Sequence, residues 1–485
     1  MVWRPRRRGV KGDTLSNWIA GQAVEAAGSE RIENLDPRDG TLINTIPCSG
    51  PKDAEVAVSA ASSCMEQGGG GQGGAGGLNV ADRSALLRSV ADSVERRLEQ
   101  YAEAESRDTG KPLEVAMEVD IPRGVENLRF FAQAIEERQP MSFSSASSVN
   151  EVLDRPVGSV ALITPWNFPF HLLTWKLGPA IAMGNAIVAK PSELTPTTAT
   201  MLAEEFTGAG APDGLFNILH GKGAEAGDAL VRSENINAVS FTGGTATGRT
   251  IAEVAAPLLK KVSLELGGKN PSVVFADCEF SSTLEGIAKA AFFNSGQVCL
   301  CGSRILVEDA LHDALVESLV EQAAQWSDRI GPLITKEHRN KVASYVALAA
   351  KDGGRIMCGG EEESPEDGAW FAPTVICGLE HSSRTAQEEI FGPVVTIHPF
   401  KDEDEALQLA NDTDFGLAGT IWTSDMVRAQ RFAQKMETGM VWVNTWNERD
   451  LRVPFGGMKQ SGSGREGGRW SMDFFSEARN VCVKQ

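Results

Sequence analysis

The sequence predicts an α/β protein built from mostly parallel sheets that are covered by helices. Short apolar stretches alternate with amphipathic ones from about residue 158 onward, and this alternation is typical of parallel strands that are connected by helices. The chain has 485 residues, of which 42% are hydrophobic. That length and composition suffice for two large domains, or about three smaller ones, each with a buried core.

The first half of the chain begins with helices and continues with strands. Amphipathic patterns predict helices at 54–65 and 81–107. Five strands are predicted after them, at 158–164, 186–190, 215–220, 238–242 and 262–266. Between the two helices, residues 68–77 contain eight glycines, a composition that favours a flexible surface loop.

The second half contains another series of strands and helices. The predicted strands lie near 272–276, 304–307, 373–376, 394–398, 419–422 and 440–444. The predicted helices lie near 281–294, 310–327, 336–351, 402–411 and 426–437. The two series predict two α/β domains in tandem that meet near residue 265. Residues 479–484 alternate as in an edge strand, which would pair within the chain or with another subunit.

Charge and cysteine content narrow the functional classes. The chain has 46 basic and 65 acidic residues, a net charge of −19, so nucleic acids and anionic membranes are not expected as partners. The charge-free run between Arg155 and Lys176 contains three prolines and does not predict a membrane-spanning helix. Eight scattered cysteines and no secretory signal favour a cytoplasmic protein without a disulfide framework.

The basic start of the chain leaves one alternative open. It could begin a short organelle-targeting presequence, although a solvated terminus is the preferred interpretation. The arginines concerned are Arg4, Arg6, Arg7 and Arg8.

Several motifs are excluded by their context. Residues 462–467 match the dinucleotide-binding pattern GxGxxG, but no predicted strand precedes them and the chain ends before a βαβ unit could form. We therefore interpret them as a glycine-rich loop. The six histidines lack ligand spacing, and Cys299 with Cys301 is only an isolated CxC pair, so no metal site is expected.

Polar residues at predicted strand ends are the best candidates for a site. Cys299 follows a small polar turn, which is a plausible setting for a reactive thiolate. Asn167 and Glu265 follow strands, at the edge where α/β proteins form their sites. Gly243 and Gly244 form a turn before a helix, where backbone N–H groups could bind a pyrophosphate. Taken singly, a buried or structural role is the favoured interpretation for each of these residues.

In this order and spacing, the segments resemble the aldehyde dehydrogenase superfamily from about Asn34 to the C-terminus. The stretches 388–393 (EEIFGP) and 454–457 (PFGG) are further motifs of that family. The resemblance implies a Rossmann-like NAD-binding domain (1–139 and 156–264), a catalytic α/β domain (265–447) and a small β oligomerisation element (140–155 and 470–485). It also implies a homodimer or homotetramer.

The resemblance assigns three catalytic residues. Cys299 matches the nucleophile that attacks the aldehyde carbon. Asn167 matches the side-chain donor that stabilises the oxyanion together with the Cys299 backbone N–H. Glu265 matches the base that activates water for hydrolysis of the thioester. Cys301 is expected beside the site, without the role of nucleophile.

The implied cofactor is NAD. Lys190 and Glu193 match residues that hold the adenosine ribose, and a carboxylate there would repel the 2′-phosphate of NADP. Glu389 and Phe391 match residues at the nicotinamide ribose and ring. Gly244 stands where serine is usual in the family. The other expected cofactor-binding residues are Thr164, Pro165, Trp166, Ser192, Gly223, Gly243, Thr245 and Leu266.

The expected substrate is a small aldehyde with a remote carboxylate. The stretches 120–123, 173–176, 299–304 and 447–451 resemble the branch of the family that acts on muconic semialdehydes. This implies oxidation of 2-aminomuconate 6-semialdehyde to 2-aminomuconate in tryptophan catabolism through the kynurenine pathway. Oxidation of 2-hydroxymuconic semialdehyde or another aldehyde is the alternative, and a non-catalytic scaffold is the alternative of another class.

Two arginines match the residues that would bind the remote carboxylate. They are Arg123 and Arg449, with Phe455 beside them. A guanidinium suits this task because its planar fork binds a carboxylate through two parallel hydrogen bonds. Arg452 could take the place of Arg449, and ordinary ion pairs are the structural alternative for both positions.

Overall fold

The computed structural model describes residues 13–68, 74–360 and 368–485. The basic stretch at residues 4–8 and the middle of the glycine-rich tract, residues 69–73, lie outside the described residues. Within the described ranges, no helix combines the length and the apolar character that crossing a membrane requires.

The larger sheet has eight strands, five of which are the strands predicted between residues 158 and 266. These five are parallel and central, and their ends differ from the prediction by no more than two residues. Gly462–Ser463 and Asn17–Ile19 flank the five and are antiparallel to them, and Gln22–Val24 pairs antiparallel with Asn17–Ile19 at the edge. In spatial order the strands are Gly462–Ser463, Lys261–Glu265, Ala238–Thr242, Ser159–Ile163, Ala186–Lys190, Phe216–Ile218, Asn17–Ile19 and Gln22–Val24.

The second sheet has seven strands, of which six were predicted. The six are parallel to one another. The seventh, Arg355–Gly360, is an antiparallel edge strand with two register shifts, and its glycines and irregular pairing hide it from a pattern search. In spatial order the strands are Arg355–Gly360, Ala372–Cys377, Val394–Phe400, Arg304–Glu308, Pro271–Val274, Ala418–Trp422 and Met440–Val443.

Eight further strands form small sheets. Three belong to a sheet near the start of the described chain: Asp13–Thr14, Leu42–Pro47 and Arg31–Leu35. Two pair with each other: Phe415–Gly416 and Met458–Lys459. The last three are Met141–Ser144, Ser148–Pro156 and Ser476–Lys484. Ser476–Lys484 is an edge strand, as predicted, and it pairs with Ser148–Pro156 of the same chain over its full length.

Helices cover both larger sheets. The α-helices are Pro51–Gln67, Val80–Arg96, Leu98–Thr109, Leu113–Val115, Ile121–Glu137, Pro169–Ala182, Thr197–Gly208, Asp228–Arg232, Thr245–Ala255, Phe280–Phe292, His312–Ser327, Lys336–Lys351, Arg384–Gln387, Glu403–Asn411, Met426–Lys435 and Gly468–Phe474. Single 3-10 or π turns lie at Ala75–Gly77, Ala116–Asp120, Gly223–Gly227, Ala256–Leu258, Phe293–Gly296 and Asp309–Leu311.

The single helix predicted at 81–107 is wrong, because two helices meet at Arg97. Its backbone is non-helical, with φ −111° and ψ 21°. The Arg97 guanidinium makes an ion pair with Glu205 on a distant helix. That contact lies 108 residues away in sequence, so local periodicity carries no sign of the break.

One end of the glycine-rich tract is packed rather than exposed. Ala75 is buried and donates its N–H to the Gly184 carbonyl at 2.9 Å. Gly76 has φ +62°, and an added Cβ would lie 2.4 Å from Pro212. The expectation of a surface loop therefore does not hold for residues 75–76.

A buried ion pair joins the C-terminal segment to the larger sheet. Lys176, on the helix Pro169–Ala182, pairs with Glu466, and their side chains are 0% and 7% exposed. Lys176 Nζ also donates to Ser240 Oγ at 3.0 Å. Glu466 lies in the stretch 462–467, whose first two residues form a strand of that sheet. The GxGxxG match is thus a loop with a structural contact, as its context predicted.

We expect Lys176→Met to destabilise the protein, because it leaves the Glu466 carboxylate buried without a partner. Losing one member of a buried pair costs about 3–5 kcal/mol. Replacing both residues, as in Lys176→Met/Glu466→Leu, should recover much of that loss. Urea denaturation followed by tryptophan fluorescence measures the effect. Arg452→Ala, which removes an exposed pair with Asp450, is the control and should leave the midpoint nearly unchanged; an equal shift in both single variants would contradict the prediction.

Candidate active site

A cavity of about 500 Å³ lies where the strand ends of the larger sheet face loops of the second sheet. It brings together the three predicted catalytic residues Cys299, Glu265 and Asn167. The other predicted residues that line it are Pro165, Trp166, Gly243, Gly244, Leu266, Glu389, Phe391, Arg123, Arg449 and Phe455. The predicted residues that do not line it are Thr164, Lys190, Ser192, Glu193, Gly223 and Thr245.

An unusual backbone turn directs Cys299 toward this cavity. After the helix Phe280–Phe292, three successive residues are left-handed: Asn294 (φ 51°), Ser295 (φ 56°) and Gly296 (φ 68°). A Cβ at Gly296 would lie only 2.1 Å from the Gly392 carbonyl oxygen. Glycine is therefore required at Gly296 both by the φ angle and by the close approach of backbone.

Hydrogen bonds hold the turn from three sides. Ser295 Oγ donates to the Gly331 carbonyl at 2.7 Å. The Ile334 N–H donates to Gln297 Oε1 at 2.9 Å. Asn270 Nδ2 donates to the Cys299 carbonyl at 2.8 Å and to the Cys301 carbonyl at 2.9 Å. Contacts of this kind stabilise left-handed conformations that non-glycine residues otherwise avoid.

The two cysteines of the CxC pair differ in access. Cys299 is half-buried and lines the cavity, whereas Cys301 is buried and does not. Burial raises the pKa of the Cys299 thiol well above its usual range, and the charges of Glu389 and Glu265 raise it further. Burial raises the pKa of Cys301 to about 12. Both thiols are therefore protonated near neutral pH, and only that of Cys299 opens on the cavity.

Asn167 has a free N–H for an oxyanion. Its Nδ2 donates to the Gln297 carbonyl at 2.9 Å, and an amide nitrogen carries two hydrogens, so one remains. Lys111 Nζ donates to the Asn167 carbonyl at 3.0 Å and also makes a buried ion pair with Asp120. Asn167 is thus held through its backbone carbonyl and through one N–H of its side-chain amide, as a preorganised donor requires.

Glu265 is buried without a hydrogen-bond partner on either carboxylate oxygen among the described residues. Burial raises its pKa well above the usual range, and the negative charge of Glu466 raises it further. The carboxyl group therefore keeps its proton to a higher pH than an exposed carboxyl group does. It becomes a strong proton acceptor once it ionises, which suits a general base in a low-dielectric site.

The turn after the strand Ala238–Thr242 is suited to a diphosphate. Gly244 precedes the helix Thr245–Ala255, whose first N–H groups are free to bind an anion. The hydroxyls of Thr242 and Thr245 are buried and have no partner in the described chain. An added Cβ at Gly244 would meet nothing within 4 Å, so the serine that is usual there would fit.

Two further groups fit a nucleotide. Lys190 Nζ makes an ion pair with Glu193 Oε2 at 2.5 Å, and the Glu193 side chain is 31% exposed, so its carboxylate is accessible to ribose hydroxyls. On the other side, the Trp166 and Phe391 rings lie 5.3 Å apart. Glu389 Oε1 beside them accepts from the Gly268 N–H at 3.0 Å. These residues could hold a dinucleotide at its two ribose ends.

The two predicted arginines face the same cavity. The Arg449 guanidinium lies 4.3 Å from the Trp175 ring centroid and donates to His171 Nε2. Burial and the positive charge of Arg123 lower the pKa of Arg449 to about 9, which still leaves it charged at neutral pH. Arg452 is exposed, pairs with Asp450 at 2.6 Å and does not line the cavity. Of the two alternatives, the geometry therefore favours Arg449.

One group of cavity residues escaped the sequence reasoning. Phe168, His171, Leu172 and Trp175 all line the cavity, and three of them lie on the helix Pro169–Ala182. Their spacing of three, four and seven residues is that of one helical face. This periodicity, counted from Phe168 onward, is the signal that could have found them.

Comparison with known proteins identifies relatives over nearly the whole chain. The model of the aldehyde dehydrogenase family matches residues 23–481. A 2-aminomuconic 6-semialdehyde dehydrogenase from a Pseudomonas species is 43% identical, covering 96% of this chain and 97% of the relative. A 2-hydroxymuconic semialdehyde dehydrogenase from Pseudomonas sp. strain CF600 is 41% identical, covering 97% and 99%. The crystal structure of a betaine aldehyde dehydrogenase from Staphylococcus aureus in complex with NAD+ superimposes with a TM-score of 0.92, at 35% identity and 97% and 94% coverage.

We expect iodoacetamide to alkylate Cys299 and to spare Cys301, because only Cys299 opens on the cavity. The rate at Cys299 should rise about tenfold per pH unit from neutral pH upward, since the thiolate is the reactive form and its pKa is raised. Tandem mass spectrometry locates the label, with the exposed Cys482 as an internal reference. Faster labelling of Cys301 than of Cys299 would refute the assignment.

Proposed function

The chain belongs to the aldehyde dehydrogenase family, and from that premise we propose that it oxidises 2-aminomuconate 6-semialdehyde to 2-aminomuconate, a step of tryptophan catabolism through the kynurenine pathway. Its oxidant is NAD, the cofactor of the family. One observation carries the choice of substrate: Arg123 and Arg449 line the cavity that contains Cys299. A muconic semialdehyde has a carboxylate at the end remote from its aldehyde, and a guanidinium pair would hold that end.

Cys299 is the proposed nucleophile. The thiol first releases its proton to solvent. The thiolate then adds to the aldehyde carbon, a C–S bond forms, the C=O π bond breaks, and the carbonyl oxygen becomes an oxyanion. The free N–H of Asn167 Nδ2 and the Cys299 backbone N–H are the proposed donors to that oxygen. The Gln297 carbonyl fixes the other N–H of Asn167, so the donor does not reorient during the reaction.

Glu265 acts in the second half of the reaction. When bound, NAD supplies the hydride acceptor by which a thiohemiacetal on Cys299 becomes a thioester. Glu265 then takes a proton from water, the water oxygen attacks the thioester carbon, and the thiolate leaves. Neither oxygen of its carboxylate has a partner in the described chain, so no hydrogen bond to the protein has to break before Glu265 accepts from water.

The cofactor-binding assignments remain those that the family resemblance implies. Lys190, Ser192 and Glu193 would hold the adenosine ribose, and Gly223, Gly243, Gly244 and Thr245 the region of the diphosphate. The residues that would line the part of NAD between the diphosphate and the nicotinamide are Thr164, Pro165, Trp166, Leu266, Glu389 and Phe391. The unpartnered Thr242 and Thr245 hydroxyls support this placement, since buried hydroxyls are normally hydrogen-bonded.

The closest competing substrate is 2-hydroxymuconic semialdehyde, because a dehydrogenase named for it is nearly as similar. Both compounds carry the remote carboxylate, so the arginines do not distinguish them. An uncharged aldehyde is disfavoured, because two half-buried guanidinium groups would then face the cavity without a substrate anion. A non-catalytic scaffold is disfavoured by the presence of Cys299, Glu265 and Asn167 together in one cavity.

We also propose a homodimer or homotetramer, with residues 140–155 and 470–485 as the oligomerisation element. The small sheet there leaves Met141, Phe143 and Val483 more than half exposed, and an apolar edge of this kind favours pairing.

The domains proposed beside it are an NAD-binding domain (1–139 and 156–264) and a catalytic domain (265–447). The free state of all eight cysteines supports a cytoplasmic location.

We expect Glu265→Gln to separate the two halves of the reaction. Acylation should still release about one NADH per active site, after which the acyl-enzyme accumulates because no base activates water. Stopped-flow absorbance at the NADH band resolves the burst. A folded variant without any burst would assign Glu265 an earlier role.

The same residue should determine how the hydrolytic step depends on pH. A base works when ionised, and a raised pKa keeps Glu265 protonated up to a higher pH than usual. The rate of thioester hydrolysis should therefore rise with pH through that raised pKa and fall below it. The residual hydrolysis in Glu265→Gln should not show this rise with pH. An identical rise in the variant would exclude Glu265 as the group that causes it.

The substrate proposal is tested by Arg123→Ala and Arg449→Ala. Each should lower kcat/KM for 2-hydroxymuconic semialdehyde, a more stable substitute for the amino compound, by roughly 10- to 150-fold, the value of a charge-assisted contact. Activity on a short neutral aldehyde should be spared. Arg452→Ala is the matched control and should change neither. Equal losses on both substrates would mean that the arginines support the fold or the cofactor site.

A further inference from the structure

His171 contacts the proposed substrate site but has no part in the reaction derived above. It lies on the helix Pro169–Ala182, four residues beyond Asn167, and its buried imidazole lines the cavity. Its Nε2 is the hydrogen-bond partner of Arg449 Nη1. Because arginine only donates, Nε2 of His171 must be the acceptor, and the ring proton lies on Nδ1.

The backbone beside the imidazole is fixed by a buried amide. Asn127 Nδ2 donates to the His171 carbonyl and to Thr174 Oγ1, both at 3.1 Å, and it makes no hydrogen bond to Nδ1, which carries the ring proton. Burial holds the pKa of His171 well below its usual range, and the positive charges of Arg449, Arg123 and Lys111 lower it further. The ring is therefore neutral, which is the state in which Nε2 can accept from a guanidinium.

The Arg449 side chain borders two cavities. It lines the cavity that contains Cys299, and it also lines a second cavity of about 660 Å³ that contains Glu126, Asp450 and Arg452. Glu126 is close enough to favour the charged form of Arg449. A guanidinium that points into this second cavity would pair with a carboxylate of the protein. It would then no longer be able to bind the carboxylate of the substrate.

Two contacts oppose this reorientation of the Arg449 guanidinium, and both are made by residues of one helix, Pro169–Ala182. The Trp175 ring lies under the guanidinium at 4.3 Å, but a cation over an aromatic face retains freedom to rotate in the plane of the ring. The hydrogen bond to His171 removes this freedom, because it fixes one of the five N–H groups of the fork in direction.

We propose that His171 is a positioning residue that holds the Arg449 guanidinium on the substrate side and so sets the preference for aldehydes with a remote carboxylate. The inference rests on the proposed function, in which Arg449 receives that carboxylate. It assigns His171 no contact with the reacting atoms. The residue acts only through Arg449, and its effect should therefore depend both on the substrate and on the presence of Arg449.

The test compares His171→Leu with His171→Gln, since glutamine retains an acceptor for Arg449 and leucine does not. His171→Leu should raise KM for 2-hydroxymuconic semialdehyde about tenfold, with kcat within about twofold of the wild type, because orientation of a charged hydrogen bond is lost. Kinetics on a short neutral aldehyde should be unchanged within about twofold, which also verifies folding. His171→Gln should restore KM to within about threefold of the wild type.

Dependence on Arg449 is tested with the double variant. If His171 acts through Arg449, His171→Leu/Arg449→Ala should be no weaker on the carboxylated substrate than Arg449→Ala alone, within about twofold. Additive losses would overturn the inference, since they would mean an independent contact with substrate. Loss of activity on both substrates in His171→Leu would also overturn it if His171→Met, a second apolar variant, behaved in the same way.

The outcomes separate this inference from the proposed function. If Arg449→Ala loses activity on the carboxylated substrate and His171→Leu does not, the inference is overturned and the proposed function stands. If Arg449→Ala has no selective effect, the proposed role of Arg449 fails, and the role of His171 fails with it. A selective rise of KM in His171→Leu that His171→Gln reverses supports both.

Discussion

The arrangement of the site depends on one backbone constraint, the left-handed turn at residues 294–296. It ends a helix and reverses the chain, so that Cys299 faces the strand ends of the larger sheet. Non-glycine residues adopt this conformation at a cost of about 1–3 kcal/mol each, and Asn294 and Ser295 both do so. The Gly392 backbone, packed against Gly296, and the hydrogen bonds of Ser295 and Gln297 offset that cost. Without them, the thiol would not be presented to the cavity at all.

Burial then gives the site its chemical character. The chain is strongly acidic overall, yet the groups that line the cavity are governed by desolvation more than by net charge. Burial raises the pKa of Glu265 and lowers the pKa of His171, in each case because the charged form loses its water. The same low dielectric strengthens every hydrogen bond that Asn167 or Arg449 makes. In the proposed complex, the anionic end of the aldehyde would meet the guanidinium groups of Arg123 and Arg449, and its carbonyl group would meet Cys299 and Glu265.

A single helix connects most of these functions. Pro169–Ala182 begins two residues after Asn167, presents His171 and Trp175 to the guanidinium of Arg449, and carries Lys176, which is buried against Glu466. The side chains of a helix are fixed relative to one another by its backbone. The proposed oxyanion donor, the proposed carboxylate receptor and the ion pair of the C-terminal loop therefore all adjoin one element.

The sequence by itself determined the strand series, the strand-end positions of Asn167 and Glu265, and the family of the chain, because hydrophobic periodicity and local motifs are short-range properties. Only the tertiary structure decided which arginine faces the cavity, since Arg449 and Arg452 are three residues apart and differ by what packs around them. The helix break at Arg97 and the contact between His171 and Arg449 were likewise decided there. In each case the partner lies more than 100 residues away, and no local pattern encodes such a pairing.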